Sequence, residues 1–183
     1  MPLGSVGRGV SIHLSVVVFG EAHLHVGAHS RIDCFSVITA GPEDVTIGEH
    51  VHIGAGCFVS GGGGLVLEDF ANLSAGVKLF TSSDDFGDGH FANATAPDRF
   101  RNVRIAAVRL GRHVVVGAGS VVLPGVSLGF GAAVGANSVV KHSVDALAIV
   151  AGSPARVIGQ RDGERLLRLD AEFRDVSARG ESF

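Results

Sequence analysis

Tryptophan and tyrosine are absent from this chain of 183 residues, and methionine occurs once. Its core must therefore be made mostly of Val, Leu, Ile and Ala. With only two cysteines, Cys34 and Cys57, a disulfide-stapled framework is excluded, and their separation of 23 residues matches no metal-ligand spacing. Cys57 falls where a small residue is expected to pack inward and reads as a buried, reduced thiol. Excess positive charge is lacking too: 15 Lys and Arg stand against 18 Asp and Glu, a net charge of −3. That balance gives no polycationic surface and argues against nucleic acid or an acidic membrane as the main partner. No apolar run approaches the roughly 18 residues that a membrane span needs, and Met1 to Ser5 lead into no basic-then-apolar leader. The expectation is a cytoplasmic protein without a membrane span.

What the chain has in quantity is glycine, 27 residues of it, and a strict period. From Leu110 an aliphatic residue returns every six positions, through Val116, Val122, Leu128 and Val134 to Val140. Six fits neither a helix nor a plain alternating strand, so it marks a repeat architecture. Glycine recurs at the second place of the unit, and a small or β-branched residue at the fifth, as tight corners between short strands require. The same phase holds in three shorter runs: Val26, Ile32, Ile38; Ile47, Ile53, Val59; and Leu67, Leu73, Leu79. Insertions near Gly41-Pro42-Glu43 and Gly61 to Gly64 separate them. The stretch 82–107, rich in Asp, Gly and Asn, offers no apolar face and reads as one loop thrown out from the stack. The Gly61 to Gly64 run lacks the Lys-Ser/Thr of a phosphate-binding loop and reads as a bulge between coils, making room for an acceptor or a neighbouring chain.

These repeats resemble those of the left-handed parallel β-helix acyltransferases, over almost everything from Val26 to Ile158. The resemblance implies an all-β solenoid, three hexapeptides to a triangular coil, over residues 1–160. After it, 161–183 form a helical cap and tail, with Leu166, Leu169, Phe173 and Val176 on one face. That helix is expected to plug the last coil or pack on a neighbouring subunit. The stretch Gly61 to Phe70, then Thr81 to Phe86, Pro97 and Arg99 to Asn102, is similar to the branch that acylates nucleotide-linked 4-amino-4,6-dideoxyglucose. The closing Val150-Ala151-Gly152-Ser153-Pro154-Ala155-Arg156 resembles the end motif of the sugar acetyltransferases.

The resemblance carries a chemistry. Acyl transfer from a thioester needs a nucleophile, a base for its proton and donors for the oxyanion. In the maltose and galactoside acetyltransferases the base is a His in Thr-x-x-His-Pro, and Thr81-Ser82-Ser83-Asp84-Asp85 puts Asp84 in its place. A sugar hydroxyl gains from a His base, whereas an amine is partly neutral near neutrality and a carboxylate can orient it and take its proton. The expected reaction is N-acylation of a nucleotide-linked deoxyamino sugar, with O-acetylation of a sugar as the alternative.

Catalytic candidates are Asp84 with Asp85 beside it, His52 on an outward face, and His90 within the excursion. His113, at the fourth place of its unit, is expected to be exposed. His23, His25 and His29 are close in sequence, with 23 and 25 on one strand face, but they lack a fourth metal ligand at recognisable spacing. The resemblance implies acetyl-CoA as donor, its arm along Gly117, Ala118 and Ala136, its phosphates near Lys141, His142 and Arg156. It also implies a homotrimer with sites between subunits and no metal. A metal-dependent carbonic anhydrase would share the solenoid, but its His-Gly-Cys setting is absent; a non-catalytic assembly module would not need the polar excursion.

Overall fold

The computed structural model describes residues 3–179; Met1, Pro2 and residues 180–183, the outer ends of the two expected segments, lie outside the described residues. Short strands alternate among three parallel sheets. The first holds Ser5–Val6, Leu24–Val26, Val45–Ile47, Leu65–Leu67, Val108–Leu110 and Ser127–Leu128. The second holds Ser11–Ile12, Arg31–Ile32, His52–Ile53, Asn72–Leu73, Val115–Val116, Ala133–Val134 and Ala148–Gly152, closed by the antiparallel Ala155–Gln160. The third holds Val17–Phe19, Val37–Thr39, Phe58–Ser60, Lys78–Phe80, Val121–Val122 and Val139–Val140. The chain visits the sheets in turn and climbs a triangular prism of six complete coils and part of a seventh. This is the left-handed parallel β-helix that the resemblance implied.

Each aliphatic residue of the repeat points into the prism: all fifteen named above, Val26 to Val140, are at most 3% exposed. Stacked on the same position of the next coil, they form one continuous apolar column, which is how a repeat too thin for its own core becomes stable. The small fifth-place residues fill the corners and satisfy backbone groups there. Ser36 Oγ, for example, donates to Gly54 O at 3.1 Å and accepts from Cys57 N at 3.2 Å. Cys57 is buried as expected, and burial pushes its thiol pKa up. Gly117 is obligatory for close approach, since a Cβ there would lie 2.5 Å from Ala136 N.

The four-glycine turn makes room for the chain's own excursion. Gly63 N donates to Thr81 Oγ1 at 2.8 Å, and a Cβ on Gly63 would lie 2.6 Å from Ile105. The excursion itself starts and ends as a ribbon, Ser82–Asp84 antiparallel to Val103–Ile105. It leaves the prism at the corner between the third sheet and the first.

Between the first and second sheets the corner residues adopt positive φ, and three of them are His29, His50 and His113, with Phe70 among them. Their rings stack one coil above another: His29 on His50 at 4.9 Å, His50 on Phe70 at 5.0 Å, Phe70 on His113 at 4.9 Å. Each ring lies over the next because successive corners superpose, and stacking offsets part of the cost of the left-handed backbone.

The C-terminal helix, Gly163–Ala178, starts at Asp162, whose side chain accepts from Arg165 N. It lies along this corner instead of plugging the last coil. Phe173 meets His50 and Phe70 edge-on at 5.1 and 5.0 Å. Asp170, 7% exposed, accepts from Arg112 Nη2 at 2.6 Å and Arg174 Nη2 at 2.7 Å, and lies 2.8 Å from His113 Nε2. Burial disfavours its charge, but the His113 hydrogen bond and the two guanidinium groups outweigh it and hold the carboxyl below the usual range. His113 is therefore covered by the helix, not exposed; its side chain retains 15% exposure. The buried helix face centres on Asp170 and Phe173, while Leu169, expected on that face, is 54% exposed.

His50 supplies a pH-dependent test of this packing. Burial between rings, and then the neighbouring His29, lower its pKa below 6.5, against smaller opposing effects of Glu49 and Asp69. A depressed folded-state pKa means that the unfolded chain takes up the proton first. The contribution is thus present above about pH 6.5 and lost as pH falls through the folded value. In His50→Phe, which repeats the rung already held by Phe70, the thermal midpoint is expected to fall less than wild type between about pH 7 and about pH 5. Equal falls would show that His50 does not couple to folding.

Candidate active site

The strand ribbon at the base of the excursion positions Asp84. Its pairing continues where Asp85 N donates to Asn102 O at 2.8 Å, which brings Arg101 beside the Asp84 carboxylate. Arg101 Nη2 donates to Asp84 Oδ1 at 3.0 Å, and both side chains are largely buried. Asp85 is used locally: its Oδ1 accepts from Gly87 N at 2.8 Å and closes a turn. Farther along the loop, Asp88 Oδ2 accepts from Asn102 Nδ2 and lies 2.9 Å from His90 Nδ1, while its Oδ1 accepts from His90 N at 2.9 Å. The His90 backbone N–H, then Asn102, lower the Asp88 pKa. With Nδ1 engaged by a carboxylate, Nε2 is the His90 ring atom left to exchange a proton.

His52 belongs to a different surface. It projects from the outer face of the second sheet, in register with Arg31 one coil below and Asn72 one coil above. Its Nε2 lies 2.8 Å from Asp33 Oδ2 and 3.0 Å from Arg31 Nη2, and its Nδ1 lies 2.8 Å from Asn72 Oδ1. Both ring nitrogens are thus engaged. The His52 hydrogen bond, with Arg31 adding to it against desolvation, lowers the Asp33 pKa. In a triangular prism a face is opposite the corner formed by the other two, so His52 and Asp84 lie on opposite sides of one chain.

The expected donor residues fall into two groups. Lys141, His142 and Arg156 converge with Ser143 and Asp145 on a groove of about 340 Å³ beside the last coil. Two cationic side chains and an imidazole lining one groove are suited to phosphate. Gly117, Ala118 and Ala136 stack at the corner between the second and third sheets, where Ala118 O accepts from Asn137 N at 2.8 Å. Ser138 at the same corner links it to the closing hairpin, since its Oγ accepts from Gly152 N at 3.0 Å.

Among the described residues no group of three or more His, Cys, Asp or Glu side chains is arranged to hold a metal ion. His23 and His25 do not share a strand: His23 ends a 3-10 turn, His25 lies on the first sheet, and both approach Asp44. No helix among the described residues is long and apolar enough to cross a membrane.

Arg31, Asp33, Asn72, Asp88 and Arg101 were missed in the sequence. The first three carried a signal: partners 19 to 21 residues apart, one coil, are found by reading at the coil period instead of the hexapeptide. Asp88 and Arg101 lie in a segment with no period, and nothing in their spacing announces their partners.

A model of the hexapeptide repeat of succinyl-transferases matches residues 44–80 and 107–142, on either side of the excursion. An Escherichia coli dTDP-4-amino-4,6-dideoxy-D-glucose acyltransferase is 35% identical over 174 residues, covering 95% of this chain and 90% of the relative. AntD, an N-acyltransferase from Bacillus cereus solved with dTDP and 3-hydroxybutyryl-CoA, superposes with a TM-score of 0.91 at 34% identity, over 96% of this chain and 92% of AntD. A variant of AntD, solved with dTDP-4-amino-4,6-dideoxyglucose and coenzyme A, gives 0.90. A maltose O-acetyltransferase from Clostridium difficile, at 20% identity and a TM-score of 0.56, shares the fold alone. The similarity to the first two proteins runs through the excursion as well as the coils, and the chain belongs to the hexapeptide-repeat acyltransferases.

Proposed function

We propose that this acyltransferase moves an acyl group from a CoA thioester, most simply acetyl-CoA, to the amino group of a nucleotide-linked 4-amino-4,6-dideoxy sugar. The observation that carries the reading is the carboxylate of Asp84, held by Arg101 at the point where the chain leaves its coils. Relatives similar over nearly the whole chain act on, or are solved with, such a sugar. In this reading the amine lone pair attacks the thioester carbonyl and the C–S bond breaks as the tetrahedral intermediate collapses. The nitrogen loses its proton to Asp84, which passes it to the departing thiolate. Lys141, His142 and Arg156 take the phosphates of the donor, and the small corner at Gly117, Ala118 and Ala136 takes its arm.

A homotrimer is part of the proposal. Val17, Val37, Phe58, Val121 and Val139 form an apolar stripe in register along the outside of the third sheet, interrupted by Lys78. Val17 is 46% exposed in the single chain. Closed association through such a stripe would let a second copy face the excursion, which no His52 of the same chain can reach. A cytoplasmic setting goes with the reading, in keeping with two unbridged cysteines.

The test is thiol release from acetyl-CoA and longer acyl-CoAs against nucleotide-linked 3-amino and 4-amino sugars and simple galactosides, with the mass of the assembly measured alongside. Turnover confined to amino sugars is expected. Reaction with galactosides alone would replace the proposal with sugar O-acetylation.

A further inference from the structure

Arg101 is the loop residue whose placement is least explained by the loop itself. Its side chain is 16% exposed, and it reaches Asp84 Oδ1 through Nη2 at 3.0 Å. Its other ionic neighbour, Asp98, lies 3.9 Å from Nη1 and is fully exposed, where solvent screens the pair. The Nε–H is enclosed without an acceptor. Its one side-chain hydrogen bond is aimed at a single carboxylate. Among the described residues, Asp84 Oδ2 accepts no hydrogen bond, so the pair leaves one oxygen of the carboxylate fixed and the other open.

We infer that Arg101 is a positioning residue for acyl transfer: by holding Oδ1 it presents Asp84 Oδ2 to the acceptor amine. The inference rests on the N-acylation reading. The ribbon supplies the rigid frame, because Asp84 lies opposite Val103 and the bond from Asp85 N to Asn102 O fixes the chain one step from Arg101. A carboxylate free to rotate would spend most of its time out of line with the nitrogen, whereas a guanidinium contact selects one orientation before the substrate arrives.

The experiment is a double-substitution cycle on the full chain, read as kcat and KM with acetyl-CoA and a nucleotide-linked 4-amino sugar. Arg101→Ala is expected to lower kcat by about 100-fold, with the KM for acetyl-CoA unchanged. Arg101→Lys keeps charge and reach without the planar fork, and should recover about tenfold of that loss. In an Asp84→Asn background, Arg101→Ala should cost less than about threefold, because the group it positions is already gone. Equal losses in both backgrounds would assign Arg101 to loop structure alone and overturn the inference, as would full activity in Arg101→Ala. Failure of the wild-type protein on every amino sugar would instead remove the reading beneath it, and that result is obtained before any variant is made.

Discussion

Asp84→Asn is expected to lower kcat on a nucleotide-linked 4-amino sugar by about 10²–10⁴-fold, the range that a positioned proton acceptor contributes. The substitution keeps shape and leaves an amide oxygen for Arg101, so the ribbon at the base of the excursion should hold. Because the donor's expected contacts at Lys141, His142 and Arg156 lie beside the last coil, away from this ribbon, the KM for acetyl-CoA should stay within about twofold. A KM effect without a kcat effect would make Asp84 a binding group. Full activity would move attention to His90, whose imidazole is oriented by Asp88 in the same loop.

Leu73→Ala is expected to cost about 2–5 kcal/mol of folding stability. Leu73 is completely buried in the second sheet, paired in register with Ile53 below and Val116 above. Its side chain fills one layer of a prism whose neighbouring layers are held at fixed strand spacing, so the surrounding coils cannot collapse into the space. The measurement is the denaturant midpoint, with an unchanged slope showing that the same surface unfolds. A loss below about 1 kcal/mol would mean that the coils do shift to fill the cavity.

The inward column from Val26 to Val140 was legible in the sequence, because the period of six keeps its phase there and every residue named in it is buried, whereas the first coil, whose Val6 stands in register with Val26 but is 53% exposed, was not read. The excursion was legible for the opposite reason: a segment with so few apolar residues has nothing to place in the column. What lay outside the repeat was not. Phase alone puts His113 on the outside, and only the fold reveals that Asp170, 57 residues later, comes down over it. The helix face was legible at Leu166, Phe173 and Val176 but not at Leu169. Leu166, Leu169, Phe173 and Val176 have helical spacing, but Arg112 and His113 on the corner select a carboxylate, and the helix turns Asp170 inward and leaves Leu169 in water. For the candidate site, sequence and resemblance supplied Asp84, while the bond that orients it spans 17 residues of aperiodic chain.

The helix over the ring ladder binds parts of the molecule made far apart in the chain. Its Phe173 rests on rungs from the third and fourth coils, and its Asp170 grips the fifth, so it spans the two coils between which the excursion leaves the chain. A solenoid normally transmits order only from one layer to the next. Here the 16 helix residues add a tie that reaches across three coils from outside the prism. Strand pairing already joins the fourth and fifth coils, and the helix reinforces that junction from outside the core.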